Sequence, residues 1–383
     1  MKRQDRADVL IVGGGPSGLL LGSKLATRFK TVLVEQNTLG NTSKFWLTTP
    51  DRLKLHNLEN SVIFTTRRGT VGSFLGAKAV AKGDYSVVDE KHLLKTLADR
   101  CTESGAELYE RQKLNHIHWH RTHLEVHCSS IVLKTRLLID ASGGASPVAS
   151  TFRLHKLLGF YSIYGAHLDG IRLQSNDIIG AHVIKLGFPP PMFEVIPTSN
   201  NSAFCVLFQA SARLVEPQTL KMDFEAHCED NPFFSLTEKK STIEGKMGAI
   251  PIGRVSRRKL PGILPFGESS MIQSPLLGTA FNEVLEHCDG VARAVKRALE
   301  DRSGELPYME IKYPILKTLN DRLQLFMVKR LVDGTTEDFE ALVEVLRRIG
   351  PRRSYQLFCT RLRWCDLAAT FLALGRAQGG RSI

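Results

Sequence analysis

The apolar residues of this chain fall into short, unbroken runs that end in glycine clusters. Residues 8–12 (DVLIV) run into Gly13-Gly14-Gly15-Pro16-Ser17-Gly18, and residues 19–25 (LLLGSKL) follow. A brief apolar run closed by glycines reads as a strand covered on both faces, and the stretch after it reads as a helix. Residues 31–35 (TVLVE) supply a second such strand, so the chain opens as a strand-helix-strand unit. Residues 133–140 (LKTRLLID) and 260–266 (LPGILPF) repeat the pattern, ending at 141–144 (ASGG) and 267–270 (GESS).

Residues 85–98 begin as a short strand and become an amphipathic helix with Asp89 placed to cap it. At 116–120, strict alternation predicts a strand with His116, His118 and His120 on one face and Ile117 and Trp119 on the other, turning at Arg121-Thr122 into 124–126. Together with His123 and His127 the stretch invites a metal reading, but Glu125 is the one carboxylate beside it, so the hairpin reads as structural and no metal site is expected. Beyond Pro307 the period becomes helical, through Leu319, Leu323, Phe326 and Leu331, then Phe339, Leu342, Val345 and Leu346. A last helix is expected near 355–374, its Leu357, Phe358, Leu362, Trp364, Leu367, Phe371 and Leu372 interleaved with Arg353, Arg361, Arg363 and Arg376. Such a basic amphipathic helix either packs on its own domain or lies on an anionic membrane.

At 383 residues the chain is long enough for two lobes. No run is long enough to cross a bilayer, and the first apolar stretch is split by its glycines, unlike a signal peptide. Seven cysteines without a CxxC pair suit a reducing compartment, so a cytoplasmic protein is expected. The net charge of +12 favours anionic partners. The basic residues are spread out and not interleaved with aromatics, which argues against nucleic acid.

The opening glycines spell G-x-G-x-x-G between strand and helix. Gly13 permits the tight turn, Gly15 lets the backbone approach a pyrophosphate, and Gly18 lets helix and strand pack closely. Pro16 and Ser17 start the helix whose N-terminus faces the phosphates. Glu35 ends the second strand about 20 residues on, where a carboxylate accepts hydrogen bonds from an adenosine ribose.

With the later segments included, the chain resembles the superfamily of FAD-dependent oxidoreductases that holds aromatic-ring monooxygenases, flavin-dependent halogenases, geranylgeranyl reductases and lycopene cyclases. The resemblance rests on the strand ending Asp140-Ala141-Ser142-Gly143 and on Gly267-Glu268 followed by Pro275 and Gly278. It implies FAD as cofactor, with Gly13, Gly15, Pro16, Ser17, Gly18, Glu35, Asp140, Gly143, Gly267, Glu268 and Gly278 at its site. The lycopene cyclases are most similar, through Ala249-Ile250-Pro251-Ile252-Gly253, Pro275-Leu276-Leu277-Gly278-Thr279 and the strand at 193–198 (FEVIPT). Gln209 stands where that group's carboxylate-rich strand carries its acid, and glutamine is no proton donor. Glu194 and Glu268 are the candidates to replace it if an apolar pocket keeps one protonated. Halogenases of this superfamily carry W-x-W-x-I-P, whereas residues 192–197 read MFEVIP. Lys44 and Lys54 remain unassigned amines.

The expected fold is α/β: a Rossmann-type FAD lobe, a β-sheet substrate lobe and C-terminal helices. The expected division is 1–155 with 50–84 as a contribution to the substrate lobe, 156–245 as substrate lobe, 246–300 returning to the FAD lobe, and 301–383 helical. The expected function is that of an FAD-dependent oxidoreductase, monooxygenase or reductase in type, acting on an apolar or aromatic small molecule of secondary metabolism. Transiently bound NAD(P)H or a separate flavin reductase would supply electrons. The alternatives are a redox-neutral, lycopene cyclase-like cyclase or isomerase, and a flavin-binding protein that catalyses nothing.

Overall fold

The computed structural model describes residues 3–42, 44–237, 244–256, 259–300 and 305–379. Two large sheets organise it. The first is seven-stranded, running Glu107–Tyr109, Thr31–Val34, Arg3–Val12, Ile131–Asp140, Leu124–Cys128 and Leu114–Trp119, with Ile263–Pro265 beside the end of Ile131–Asp140. Its inner strands are parallel, in the register Val12↔Val34 and Val12↔Asp140, which brings three strand ends together at one edge. That edge is where an open parallel sheet presents its loops to a ligand.

Both faces of this sheet are covered, as the unbroken apolar runs require. Val9, Ile11, Leu33 and Ile139 pack against the helices Pro16–Ala26, Glu90–Glu103 and Phe281–Glu300. Leu10, Val12 and Leu138 pack against Val148, Ala149 and the edge hairpin. Asp89 caps the second of these helices, accepting from the Lys91 and His92 amides at 3.0 and 2.9 Å.

The second sheet is eight-stranded: Lys246–Val255, His155–Asp169, Ser202–Ser211, Met192–Ser199, Ile178–Val183, Val62–Gly72, Lys78–Val88 and Leu47–Thr48. Residues 50–84 thus contribute two long strands to it. The strand Lys246–Val255 also belongs here, pairing along His155–Asp169, so the chain returns to the first lobe only after it and not at 246. One face carries Tyr164, Phe193, Val195 and Leu207 against Leu220 and Phe224 of the helix Pro217–Glu229. The other carries Tyr161, Val183, Met192 and Ile252 against the C-terminal helices.

Those helices are Ile315–Val328, Thr336–Ile349, Pro351–Phe358 and Trp364–Gly379. The single last helix expected from the spacing is two, because Thr360 turns the backbone left-handed at φ 55° and ends the first. Leu357, Leu362 and Leu367 are buried, while Trp364, Phe371 and Leu372 are exposed; the side chain of Arg376 lies outside the described residues. Among the described residues no helix is long and apolar enough to cross a membrane.

Candidate functional site

Three loops meet at the parallel edge of the first sheet. Gly13 adopts φ 109°, and a Cβ there would strike the Ala141 backbone, so the first turn lies directly on the loop after Asp140. Gly267, at φ 79°, would strike the Ser17 side chain in the same way, which seats the third loop on the first turn of the helix Pro16–Ala26. Gly15 is different: nothing lies within 4 Å of the place its Cβ would take. That open face stands beside a helix N-terminus capped by no side chain and free of acidic residues in its first turn. The arrangement suits a pyrophosphate.

Glu35 holds the turn from the next strand. Its Oε2 accepts from the Gly14 amide at 2.7 Å and its Oε1 from the Asn37 amide at 2.8 Å. Each carboxylate oxygen retains acceptor capacity for a ribose hydroxyl. Asp140 is buried and fully engaged: Oδ1 accepts from the Ser142 hydroxyl at 2.6 Å, and Oδ2 from Ser146, the N-cap of Pro147–Thr151, at 2.6 Å. Burial raises its pKa against the pull of these hydrogen bonds. Its carboxylate shapes the second loop, while its main chain receives the Phe266 amide at 2.8 Å and so binds the third loop to it.

Glu268 closes the site. Its Oε2 accepts from the Gly144 amide at 3.0 Å and from the Lys44 ammonium. Lys44 stands in a segment that crosses between the lobes. Its neighbour Phe45 stacks on Phe204 of the second sheet, centroids 4.4 Å apart, and Trp46 is buried beside Phe281. Sequence gave no role to Lys44, because its partner lies 224 positions later. Gly278 falls elsewhere, on Ile250 and Tyr161, where the Tyr161 hydroxyl donates to the carbonyls of Pro275 and Leu276 at 3.1 and 2.8 Å. It shapes the junction of the lobes.

The two remaining candidates separate. Glu194 pairs across the ladder with Val206 and shares a face with Met192, Ile196 and Phe208. On its other side the neighbouring strand sets two residues, Gly180 and Ala181, opposite it, a β-bulge of the kind found beside active sites. Among the described residues no side chain or amide pairs with its carboxyl, and burial pushes its pKa up to about 8. Gln209 has the opposite parity and donates to the Pro189 carbonyl at 3.0 Å. Glu194 is therefore a neutral acid at pH 7 on an apolar wall, an arrangement that can deliver a proton or stabilise positive charge after losing one.

The family described as lycopene cyclase protein matches residues 8–374. No curated protein matches the chain. Among solved structures, the fold is similar to a geranylgeranyl bacteriochlorophyll reductase-like protein from Thermoplasma acidophilum, at 13% identity over 99% of each chain and a TM-score of 0.75. It is similar to halogenase PltM in complex with phloroglucinol and FAD, at 15% identity over 90% of this chain and 79% of that one, TM-score 0.63. The flavin-dependent brominase Bmp2 is a third, at 13% identity over 98% and 100%, TM-score 0.67. At such identities the likeness is one of fold.

Proposed function

The chain belongs to the lycopene cyclase protein family, within the superfamily of FAD-dependent oxidoreductases, and we propose that it is a flavoenzyme acting on an apolar or aromatic small molecule, with Glu194 as its proton donor. The observation that carries this reading is the neutral carboxyl of Glu194 on the apolar face formed with Met192, Ile196 and Phe208. FAD fits the cradle on two counts: the open face at Gly15 beside an uncapped helix N-terminus, and the Glu35 carboxylate 2.7 Å from the Gly14 amide. Bound there, FAD would supply electron or hydride transfer, or, when reduced, negative charge near a substrate cation.

The chain's own residues then divide the work. Gly13 to Gly18 and Glu35 hold the dinucleotide, and Gly267 keeps the late loop against Ser17. Glu268, fixed by Lys44 and the Gly144 amide, positions the loop at 141–144. Phe45, stacked on Phe204, ties the segment around Lys44 to the second sheet. Glu194 gives a proton to the substrate, or takes one, from the face it shares with Met192, Ile196 and Phe208.

In the first reading this is an oxidoreductase, monooxygenase or reductase in type, of secondary metabolism, served by NAD(P)H or by a separate flavin reductase. The acid at Glu194 favours a second reading, a redox-neutral cyclase or isomerase that protonates an apolar alkene. Visible spectra of the purified protein, before and after anaerobic NADH or NADPH, test both. Flavin bands that bleach support the first; bound flavin that does not bleach, with substrate converted at no net redox change, supports the second. A protein that takes up no FAD on reconstitution overturns both.

A further inference from the structure

The edge hairpin of the first sheet carries a cluster that flavin chemistry does not use. Leu114–Trp119 and Leu124–Cys128 pair antiparallel with His116 opposite His127 and His118 opposite Glu125. Paired residues of a ladder share a face, as do residues two apart on one strand, so these four side chains form a two-by-two tile. The ring centroids of His116 and His127 are 4.1 Å apart, those of His116 and His118 4.9 Å, and those of His118 and His127 5.3 Å. One ligand nitrogen from each of the three lies within 4.8 Å of the others. Glu125 Oε1 sits 2.8 Å from His127 Nε2. His116 and His118 are exposed, while Leu114, Leu124 and Val126 pack inward, so burial does not explain why three imidazoles gather here.

We infer that this tile binds a divalent transition-metal ion of the zinc class, with His116, His118 and His127 as ligands. Imidazole nitrogens favour zinc, copper and nickel over magnesium and calcium, which prefer oxygen. Zinc takes nitrogens at about 2.0–2.1 Å, so small rotations of the two exposed rings and of the half-buried His127 bring the three onto one ion and leave a fourth position for water. Glu125 is the carboxylate that fixes the orientation of a metal-bound ring, here His127. The ion joins two adjacent strands at the edge of the sheet, and its binding tightens the hairpin. His120, which alternation puts with the other two, instead stacks on His123 at 4.4 Å beyond the tile. The ligand that replaces it, His127, comes from strand register, which alternation along one strand does not reveal.

The test uses the untagged full-length protein. Calorimetric titration with Zn²⁺ is expected to show one saturable equivalent, and Cu²⁺ in its place to show nitrogen hyperfine structure by electron paramagnetic resonance. His118→Asn and His127→Ala are each expected to weaken zinc at least tenfold, Glu125→Gln about tenfold, and His120→Ala not at all. Hydrogen exchange over 114–128 should slow with zinc in the unaltered protein. Unchanged far-UV circular dichroism in each variant separates loss of the site from loss of the fold. Absence of a saturable equivalent, or an equivalent bound as tightly by the His118 and His127 variants, overturns the inference.

Discussion

Glu194 and Gln209 stand on adjacent strands of one sheet and point to opposite sides of it, Glu194 toward the apolar face shared with Met192 and Phe208, Gln209 toward the Pro189 carbonyl. Glu194 is the acid proposed above in place of the one that Gln209 cannot supply. Glu194→Gln is therefore expected to lower turnover on any protonated substrate by at least about a hundredfold, the usual weight of a general acid. Gln209→Ala should change it little. Initial rates of both variants, at matched flavin content, decide this.

The pKa of Glu194 has a consequence for stability. The folded state holds it up to about 8, whereas an unfolded glutamate titrates at about 4.3. As pH rises between these values the unfolded chain gives up a proton that the folded chain keeps, so stability present at acid pH is lost as pH climbs toward the folded value. Glu194→Gln removes that loss. The variant should be more stable than the unaltered protein at pH 8, by about 2 kcal/mol after allowing for partial solvent access, and no more stable at pH 4. Urea denaturation at the two pH values measures the difference. A native rate that depends on the protonated acid should also fall as pH rises through about 8.

Gly15 offers a clean test of the cradle, because its open face means that a side chain meets nothing in the protein itself. Gly15→Val should leave the thermal unfolding of the flavin-free protein unchanged and weaken FAD at least tenfold. Gly13→Val, which drives a side chain into the Ala141 backbone from a positive φ, should lower stability as well as FAD binding. Fluorescence titration with FAD, beside melting curves, separates the two effects.

Arg52 is buried between the lobes, with Nε 3.1 Å from Glu286, a terminal nitrogen 3.5 Å from Glu283, and the same nitrogen donating to the Cys359 carbonyl at 3.0 Å. Lys317 lies 3.3 Å from Glu283 on the other side, and against its burial the His287 hydrogen bond, followed by the charges of Lys317 and Arg52, holds that carboxyl down at about 2. Arg52→Ala leaves Glu283 and Glu286 short of a cation and is expected to cost about 3–5 kcal/mol. Chemical denaturation checks this. The loss should also loosen the C-terminal helices, which proteolysis would report.

The helix Trp364–Gly379 sets Trp364, Phe371 and Leu372 on its outer side, with Arg363 at its start. A surface of this kind suits the second of the two alternatives left open for this helix, contact with an anionic membrane, and we propose that contact here. Flotation with anionic liposomes should carry the protein upward, and Phe371→Ser with Leu372→Ser should abolish it. Protein that stays at the bottom of the gradient rules the contact out.

Much of the cofactor lobe was legible in the chain because its determinants are local. Strand, turn and helix follow one another within residues 8–35, and the glycines fall where steric contact with a neighbouring backbone or an approaching phosphate demands them. Helical and strand periods likewise placed the elements at 85–98, at 116–126 and beyond residue 307, since each depends on residues a few positions apart. Where several distant segments had to meet, the sequence carried no signal. The pairing of Lys44 with Glu268, the burial of the Asp140 carboxylate on Ser142 and Ser146, and the assignment of Lys246–Val255 to the second sheet all follow from packing across the molecule. The state of Glu194 is of the same kind: its residue type is written in the sequence, but only the apolar wall assembled around it keeps the carboxyl neutral at pH 7.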